Sequence, residues 1–155
     1  MAKVPGDEAI MSEAITIEAA IAELYRLANS PVSHRARQRR LGTDLSRTEL
    51  EALRRVDELE VATVTTMSEV LGLSLAATSR TLARLEDEEY LVRRADPDDG
   101  RVVRFETTAK GSRTSEQFQA STRGEINQVL SHWPERDRSR LAELFSKLVV
   151  EMRGG

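Results

Sequence analysis

The strongest constraint on how this chain can fold comes from the three residues Gly72-Leu73-Ser74. Glycine is the typical residue just after the C-terminus of a helix, and serine is a preferred N-cap at the start of one. The segment therefore predicts a short helix over residues 66–71 and a second helix from Ser74 to about residue 89. Helices joined by so tight a turn cross at a steep angle, as in a helix-turn-helix motif.

Signals on both sides of this pair complete the order of elements. Ser46 followed by Glu49 is a capping box, which predicts the start of a preceding helix. The segments LVRR at residues 91–94 and VVRF at residues 102–105 predict two short strands, and the turn-forming residues 95–100 separate them. The helices are therefore expected to be followed by a β-hairpin.

Longer helices are predicted at both ends of the chain. Apolar residues recur at three- and four-residue steps through residues 7–28, and another helix is predicted over residues 108–133. Pro134 is well placed to open a last helix. The expected fold class is mainly α with a small β-hairpin wing, in which a winged helix-turn-helix is flanked by N- and C-terminal helices.

The net charge of the chain argues against nucleic-acid binding, whereas the distribution of that charge allows it. Averaged over 155 residues, a formal net charge of -3 argues against nucleic-acid binding, which favours an excess of positive charge. The charge is unevenly distributed, however, because residues 1–31 are acidic whereas residues 34–40 contain four arginines and no acid. Those arginines lie either on a solvated loop or helix face or on a phosphate-binding surface, and the local field governs an encounter with DNA.

Several classes of site are excluded or disfavoured by what the chain lacks. It has no cysteine, so disulfides, thiolate metal sites and thiol redox sensing are excluded. The two histidines, His34 and His132, lack metal-ligand spacing, and neither a phosphate-binding glycine loop nor a nucleophile elbow is present. We therefore expect no enzyme, no catalytic residues, no metal and no cofactor.

The location of the protein is predicted from two further features of the sequence. The first fifteen residues carry acids where an export signal needs an apolar core. No apolar run is long enough to cross a bilayer. We therefore expect a cytoplasmic protein without a membrane partner.

Residues 45–111 resemble a known family. Their three informative runs are LSRTELEAL, MSEVLGLSLAATSRTLARLE and YLVRRADPDDGRVVRFETTAKG, of which the wing stretch Asp-Pro-Asp-Asp-Gly-Arg is the most specific. They are similar to the multiple-antibiotic-resistance regulator (MarR) family of bacterial transcription factors. The resemblance implies a homodimer that binds double-stranded DNA at a pseudo-palindromic operator, more often as a repressor. It also implies dimerisation through residues 1–31 and 108–155, and a DNA-binding lobe at residues 45–107.

The resemblance and the buried face of the second motif helix together predict which residues face DNA. Thr78, Leu82 and Leu85 fall on the core side, so the opposite face and the wing are expected to face the duplex. Two arginines carry the main expectation, since Arg80 suits guanine or phosphate and Arg101 suits a narrow minor groove. The full predicted set is Ser74, Leu75, Ala76, Ala77, Ser79, Arg80, Arg84, Arg47, Arg94, Asp99 and Arg101.

Each main prediction has a simpler alternative. Arg80 is otherwise a surface arginine paired with Glu86 or another acid. Arg101, which Asp99 is expected to orient by a charge-assisted hydrogen bond, is otherwise part of an exposed ion pair in an ordinary turn. Arg84 either meets phosphate or is merely solvated.

Other residues of the motif and wing have more modest predicted roles. The two alanines of the second helix offer only methyl contacts, which favours reliance on DNA shape. Asp96 and Asp98 are expected to form the turn of the wing. The acidic run at residues 86–89 is expected to be a solvated face that pairs with Arg93 or Arg94.

Two further hypotheses stay open. Many members of the family bind small aromatic molecules, and such a cavity could be lined by Tyr25, Phe118, Trp133 and Phe145. At helical spacing these residues are more typical of plain core or dimer interface. Alternatively, the same surface is a winged-helix protein-interaction module without sequence-specific DNA binding. The net acidity favours that alternative slightly, whereas the two arginines favour DNA.

Overall fold

The order of helices and strands follows the sequence prediction, with one additional helix. The structure, a computed structural model, describes residues 5–97 and 99–154. Within them lie α1 (Pro5–Ala28), α2 (Pro31–Leu41), α3 (Arg47–Glu58), α4 (Val64–Leu71), α5 (Leu75–Asp87), β1 (Leu91–Ala95), β2 (Val103–Thr107), α6 (Ala109–Leu130) and α7 (Glu135–Gly154). The predicted fold class, mainly α with a two-stranded antiparallel wing, is confirmed.

Three helices, α3, α4 and α5, pack against one another around an apolar core. The side chains of Leu50 and Leu53 in α3, Met67 in α4, and Leu82 and Leu85 in α5 are fully buried. Burying a side chain of this size contributes about 1.5–3 kcal/mol to folding. The predicted core positions Leu82 and Leu85 of α5 are thereby confirmed, and together the buried side chains hold the helix-turn-helix at a fixed angle.

The ends of the motif helices follow from their capping residues. Ser46 and Glu49 form the predicted capping box, in which the Ser46 hydroxyl accepts from the Glu49 amide at 3.3 Å and the Glu49 carboxylate accepts from the Ser46 amide at 2.7 Å. α4 begins two residues earlier than predicted, because Thr63 and Thr66 form a second reciprocal cap. It ends at Gly72, whose φ of 64° is a left-handed conformation that glycine tolerates without strain.

The additional helix, α2, contains the arginine-rich residues 34–40, which the sequence left open as a loop or a helix face. Its start is capped by Ser30, whose hydroxyl accepts from the Ser33 amide at 3.1 Å, and Pro31 occupies the first turn. Gly42, with a φ of 62°, ends it. The segment is therefore a helix, and its arginines are distributed around a helical surface.

The wing is an antiparallel pair of strands in which Leu91 lies opposite Thr107. β2 begins one residue and ends two residues later than predicted. The Phe105 amide donates to the Ala62 carbonyl at 2.8 Å, so the residues just before α4 extend the pairing. This hydrogen bond and the buried Phe105 ring attach the hairpin to the motif.

The turn between α5 and β1 also anchors the start of α6. The Tyr90 carbonyl accepts from the Thr108 amide at 3.0 Å, and the Thr108 hydroxyl donates to the Glu89 carbonyl at 2.7 Å. Gly111, in the first turn of α6, lies so close that a Cβ atom there would be 2.1 Å from the Tyr90 carbonyl oxygen. The α6 backbone therefore packs directly on the chain that leaves α5, and only glycine fits at the contact.

The helices at both ends of the chain expose apolar side chains. Contacts divide the chain into two compact units, with the division after Ser115. In the first unit, Ile10 and Leu24 of α1 are 65% and 56% exposed. In the second unit, Val129 of α6 and Leu144 of α7 are 63% and 47% exposed. The predicted apolar stripe of α1 is therefore present, and it is not buried within one copy of the chain.

The remaining helix boundaries lie within three residues of their predicted positions, a normal margin for helix ends. α5 ends at Asp87, α6 ends at Leu130, and α7 begins at Glu135, directly after the proline predicted to open it. Among the residues that the structure describes, no helix is both long enough and apolar enough to cross a membrane.

We expect Glu89→Gly to stabilise the protein by about 1 kcal/mol. Glu89 has a φ of 60° just after α5. That left-handed conformation costs a residue with a Cβ atom about 1–2 kcal/mol and costs glycine almost nothing. Thermal unfolding of both proteins at one concentration measures the difference.

The control for this change is Asp87→Gly, which removes the same charge from the last residue of α5. It places glycine inside the helix, where a loss of up to about 1 kcal/mol is expected. If the two variants shifted the unfolding temperature equally, the backbone of Glu89 would not be the source of the gain.

Candidate nucleic-acid interface

The first two turns of α5 separate a buried face from an exposed one. The Ser74 hydroxyl accepts from the Ala77 amide at 3.2 Å and fixes where the helix begins. Thr78 is fully buried on one side. On the other side the predicted DNA-facing residues are at least partly exposed, namely Ser74, Leu75, Ala76, Ala77, Ser79 and Arg80. The helix N-terminus and one continuous surface are therefore available to a partner.

Arg80 is the cation of this surface. Its side chain is exposed and forms no ion pair with any residue that the structure describes. The predicted alternative partner, Glu86, instead binds Arg93 at 2.6 Å. The guanidinium of Arg80 can thus direct its donors to an external acceptor, and a base edge or a phosphate matches that geometry.

The tip of the wing is ordered by two aspartate side chains. The Asp96 carboxylate accepts from the Asp99 amide at 3.2 Å, which confirms the predicted turn role of Asp96, whereas Asp98 lies outside the described residues. The Asp99 carboxylate accepts from the Arg101 amide at 3.0 Å. Asp99 was expected to orient the Arg101 guanidinium, but its carboxylate accepts from the Arg101 backbone amide instead. An aspartate side chain commonly bonds the amide two residues later in a turn, and this is the contact observed.

The Arg101 side chain belongs to this turn and forms no hydrogen bond with the part of the chain that the structure describes. It is exposed, and no described residue forms an ion pair with it. The predicted alternative, an exposed ion pair within the turn, is absent among the residues described. An arginine presented in this way suits a narrow minor groove, where the negative potential of DNA is strongest.

The arginines on the strands of the wing are paired with acids. Arg94 lies 3.7 Å from Glu106, and Arg104 lies 3.3 Å from the same carboxylate. Arg93 contacts Glu86 and also lies over the Phe105 ring, 5.4 Å from its centroid. The predicted pairing of the acidic run with Arg93 is confirmed. These arginines are partly neutralised, so Arg94 must exchange an internal partner for a phosphate in order to contact DNA.

Two other arginines predicted to contact DNA have internal partners as well. Arg47 donates to the carbonyl oxygen of Ala28 at 3.3 Å, and Arg37 donates to the same oxygen at 3.3 Å. Arg84 forms ion pairs with three carboxylates, those of Asp44, Glu49 and Glu88. The hydrogen bond to Glu88, followed by the charge of Glu49, raises the pKa of Arg84 above the ordinary arginine value. Arg84 is therefore not merely solvated.

Comparison with known proteins places this geometry in a family. The family model of the MarR family matches residues 45–103. Over 105 residues the chain is 31% identical to the HTH-type transcriptional regulator YxaD of Bacillus subtilis, a match that spans 68% of this chain and 73% of YxaD. The chain belongs to the MarR family.

Solved structures share the fold of this MarR family protein. A MarR family protein from Bacillus stearothermophilus is 20% identical, with a TM-score of 0.73 over 98% of this chain and 99% of the other. A MarR transcriptional regulator from Methanosarcina mazei is also 20% identical, with a TM-score of 0.74 over 90% and 97% of the two chains. Membership of the family makes the protein a DNA-binding transcriptional regulator and not an enzyme.

The aromatic residues predicted to bind a ligand lie in different parts of the MarR family protein. Tyr25 belongs to the first unit and is 74% exposed, whereas Phe118, Trp133 and Phe145 belong to the second unit. Of those three, only Phe118 is buried. A groove of about 280 Å³ lies between the end of α3 and β2, and none of the four residues lines it. Their role in ligand binding stays a prediction.

The charge of α3 is also reduced by pairing within this MarR family protein. Glu51 and Glu58 bind both Arg54 and Arg55. Burial opposes ionisation of Glu51, yet the hydrogen bond and charge of Arg54 lower the pKa of that carboxyl below its ordinary value. The positive charge that residues 34–55 offer to DNA is therefore smaller than a count of arginines indicates. These pairs are not among the sequence predictions, although their three- and four-residue spacing is the signal for them.

Proposed function

We propose that this MarR family protein is a homodimeric repressor that binds a pseudo-palindromic operator in double-stranded DNA. Each subunit places the exposed face of α5 in a major groove and the wing tip in the neighbouring minor groove. The two-fold symmetry of the dimer matches the inverted repeat of the operator. The predicted cytoplasmic location and the predicted release by a small aromatic ligand belong to the same proposal.

One observation carries this proposal. Arg80 and Arg101, which we call the reading arginines, are the predicted DNA-contacting arginines whose side chains form neither a hydrogen bond nor an ion pair with a described residue. They stand on the two elements that winged-helix proteins insert into the grooves of DNA. A surface that binds protein has no need of unpaired arginines at both places. The geometry therefore favours DNA over a protein-interaction module.

The proposal of a homodimer is supported by the exposed apolar side chains of the terminal helices. Ile15 of α1, Ile126 of α6 and Val150 of α7 are 61%, 55% and 68% exposed. Large apolar side chains that are exposed at several positions of a helix are typical of an interface. A second copy of the chain supplies an identical apolar surface, which suits a two-fold symmetric contact.

The experiment that tests this function uses the DNA on either side of the protein's own coding region. We expect a fragment that contains an inverted repeat to bind two chains, as measured by fluorescence anisotropy and by the stoichiometry of the complex. A fragment with the repeat scrambled should bind far more weakly at the same salt concentration. Equal binding to both fragments would exclude sequence-specific recognition. A reporter placed after the fragment should become more active when the protein is removed, and a fall in activity would exclude repression.

The affinity for the operator is expected to fall steeply with salt. If each subunit neutralises at least two phosphates, four counterions are released, and the dissociation constant should rise on the order of 100-fold between 50 and 200 mM salt. Anisotropy titrations across this range measure the slope. An affinity for the fragment that hardly changes with salt would argue against phosphate contacts and in favour of a protein-interaction module.

A further inference from the structure

Arg84 links three parts of the first unit through one guanidinium group. It lies 3.1 Å from Glu49 in the first turn of α3, 3.3 Å from Asp44 in the preceding loop, and 2.9 Å from Glu88 at the end of its own helix. The Asp44 contact spans 40 positions of the sequence. The last turns of α5 are thus fastened to the beginning of α3 by ion pairs.

Glu49 is the central partner of Arg84. One of its carboxylate oxygens accepts from the Ser46 amide at 2.7 Å and caps α3, while the other contacts Arg84 at 3.1 Å. Only 8% of the Glu49 side chain is exposed. The same carboxylate therefore both sets where α3 begins and holds α5, and its burial makes the loss of its cationic partner unfavourable.

The position of this ion pair along α5 gives it a role in DNA recognition. Arg84 follows Arg80 by four residues, which is about one turn or 6 Å along the helix axis. The core contacts of α5 are apolar and non-directional, whereas the ion pair with the buried Glu49 carboxylate and the hydrogen bond to Asp44 favour one position of the Arg84 guanidinium relative to α3. A small rotation of α5 at Arg84 would consequently move the Arg80 guanidinium away from the base edge that it reads.

We propose that Glu49 and Arg84 form a latch that orients α5 on α3, so that Arg84 is a positioning residue and not a phosphate contact. Each of the three guanidinium nitrogens of Arg84 already contacts a carboxylate, so a phosphate would have to compete with Asp44, Glu49 or Glu88 for it. This inference deepens the proposed function, since it concerns how the same surface is held for DNA. The latch itself is a property of the protein without DNA.

The decisive variants are Arg84→Gln and Glu49→Gln. Glutamine at position 49 keeps an oxygen for the Ser46 amide and so preserves the cap of α3, but it removes the ion pair. It also removes a negative charge, which by electrostatics alone strengthens DNA binding. We expect the opposite, with each variant binding the operator about 10-fold more weakly and the double variant no weaker than either single one.

Salt dependence separates a positioning role from a phosphate contact. For Arg84→Gln we expect the slope of log affinity against log salt to equal that of the unsubstituted protein. Loss of a true phosphate contact lowers the slope by about 0.9 for each of the two subunits. A reduced slope, or tighter binding by Glu49→Gln, would overturn the latch.

Arg54→Gln is the matched control, because Arg54 also binds two carboxylates, those of Glu51 and Glu58, but all within α3. We expect its operator affinity to stay within about threefold of the unsubstituted value. All variants are compared at a temperature where circular dichroism shows each to be folded. If Arg84→Gln does not fold, Glu49→Gln with its intact cap supplies the same test.

Hydrogen exchange in the absence of DNA tests the latch independently of the proposed function. We expect the amides of α5 to exchange faster in Arg84→Gln and Glu49→Gln, and at an unchanged rate in Arg54→Gln. Unchanged exchange in the first two variants would overturn the latch even if operator binding were weakened. If the unsubstituted protein bound no operator while exchange rose as expected, the proposed function would fail and the latch would stand.

Discussion

Replacing Arg101 with alanine is expected to weaken operator binding at least about 30-fold. A well-placed arginine contact contributes about 1–3 kcal/mol, and a homodimer loses two of them. The Arg101 side chain breaks no internal ion pair with a described residue when it reaches DNA, so the full contact energy is available. Its backbone amide, which Asp99 holds at 3.0 Å, is kept by alanine. The turn should therefore retain its shape, and the loss of affinity then measures the contribution of the Arg101 side chain alone.

A fluorescence-anisotropy titration against the inverted repeat measures this loss. The matched control is Arg136→Ala, which removes the same charge from an exposed position in the first turn of α7. We expect the control to bind within about threefold of the unsubstituted protein, since only the general field of the protein changes. If Arg101→Ala and Arg136→Ala bound the operator equally well, the wing would not contact DNA.

Gly111→Ala is expected to destabilise the fold by about 3 kcal/mol or more. The added Cβ atom would lie 2.1 Å from the oxygen and 3.1 Å from the carbon of the Tyr90 carbonyl. Both are backbone atoms that cannot rotate away. Relief requires α6 to move, which strains the hydrogen bond from the Thr108 amide to the same carbonyl. The preference of alanine for helices, about 1 kcal/mol, recovers only part of this cost.

Gly124→Ala provides the control, because it makes the same substitution in the same helix with no atom within 4 Å of the new Cβ. Here the helix preference acts alone, and we expect a gain of up to about 1 kcal/mol. Chemical denaturation at a fixed protein concentration measures both variants, since the stability of a dimer depends on concentration. A gain in stability for Gly111→Ala would show that the backbone contact is not as close as the structure indicates.

The parts of the fold that sequence analysis predicted are those set by neighbours within a few residues. The capping box of Ser46 and Glu49, the turn at Gly72 and the hairpin all arise from such local forces. α2 has equally local signals in Ser30-Pro31 and Gly42, but its arginine-rich sequence shows no apolar period. Without that period, the caps alone did not indicate a helix.

The fate of individual arginines could not be predicted in the same way. Arg80 and Arg84 lie on one helix, and the Glu88 partner of Arg84 is four residues away. Its partners Asp44 and Glu49 are 40 and 35 positions away and are brought near only by the fold. Arg47 likewise meets a carbonyl 19 positions away. The close approach of Gly111 to Tyr90 also involves residues that are distant in sequence. Gly111 belongs to the run that resembles the family, but the sequence does not show which contact requires a glycine there.

The carbonyl oxygen of Ala28 connects three helices through hydrogen bonds. It ends α1 and accepts hydrogen bonds from Arg37 of α2 and from Arg47, the first residue of α3. Three successive helices therefore meet at one atom, and only Asn29 and Ser30 connect the first two. Because this connection is so short, a movement of α1 relative to α2 and α3 would strain the hydrogen bonds that Arg37 and Arg47 donate to Ala28. One of these bonds comes from the start of α3, the helix that packs against both helices of the helix-turn-helix, so a shift of α1 would also act on the support of the DNA-binding motif.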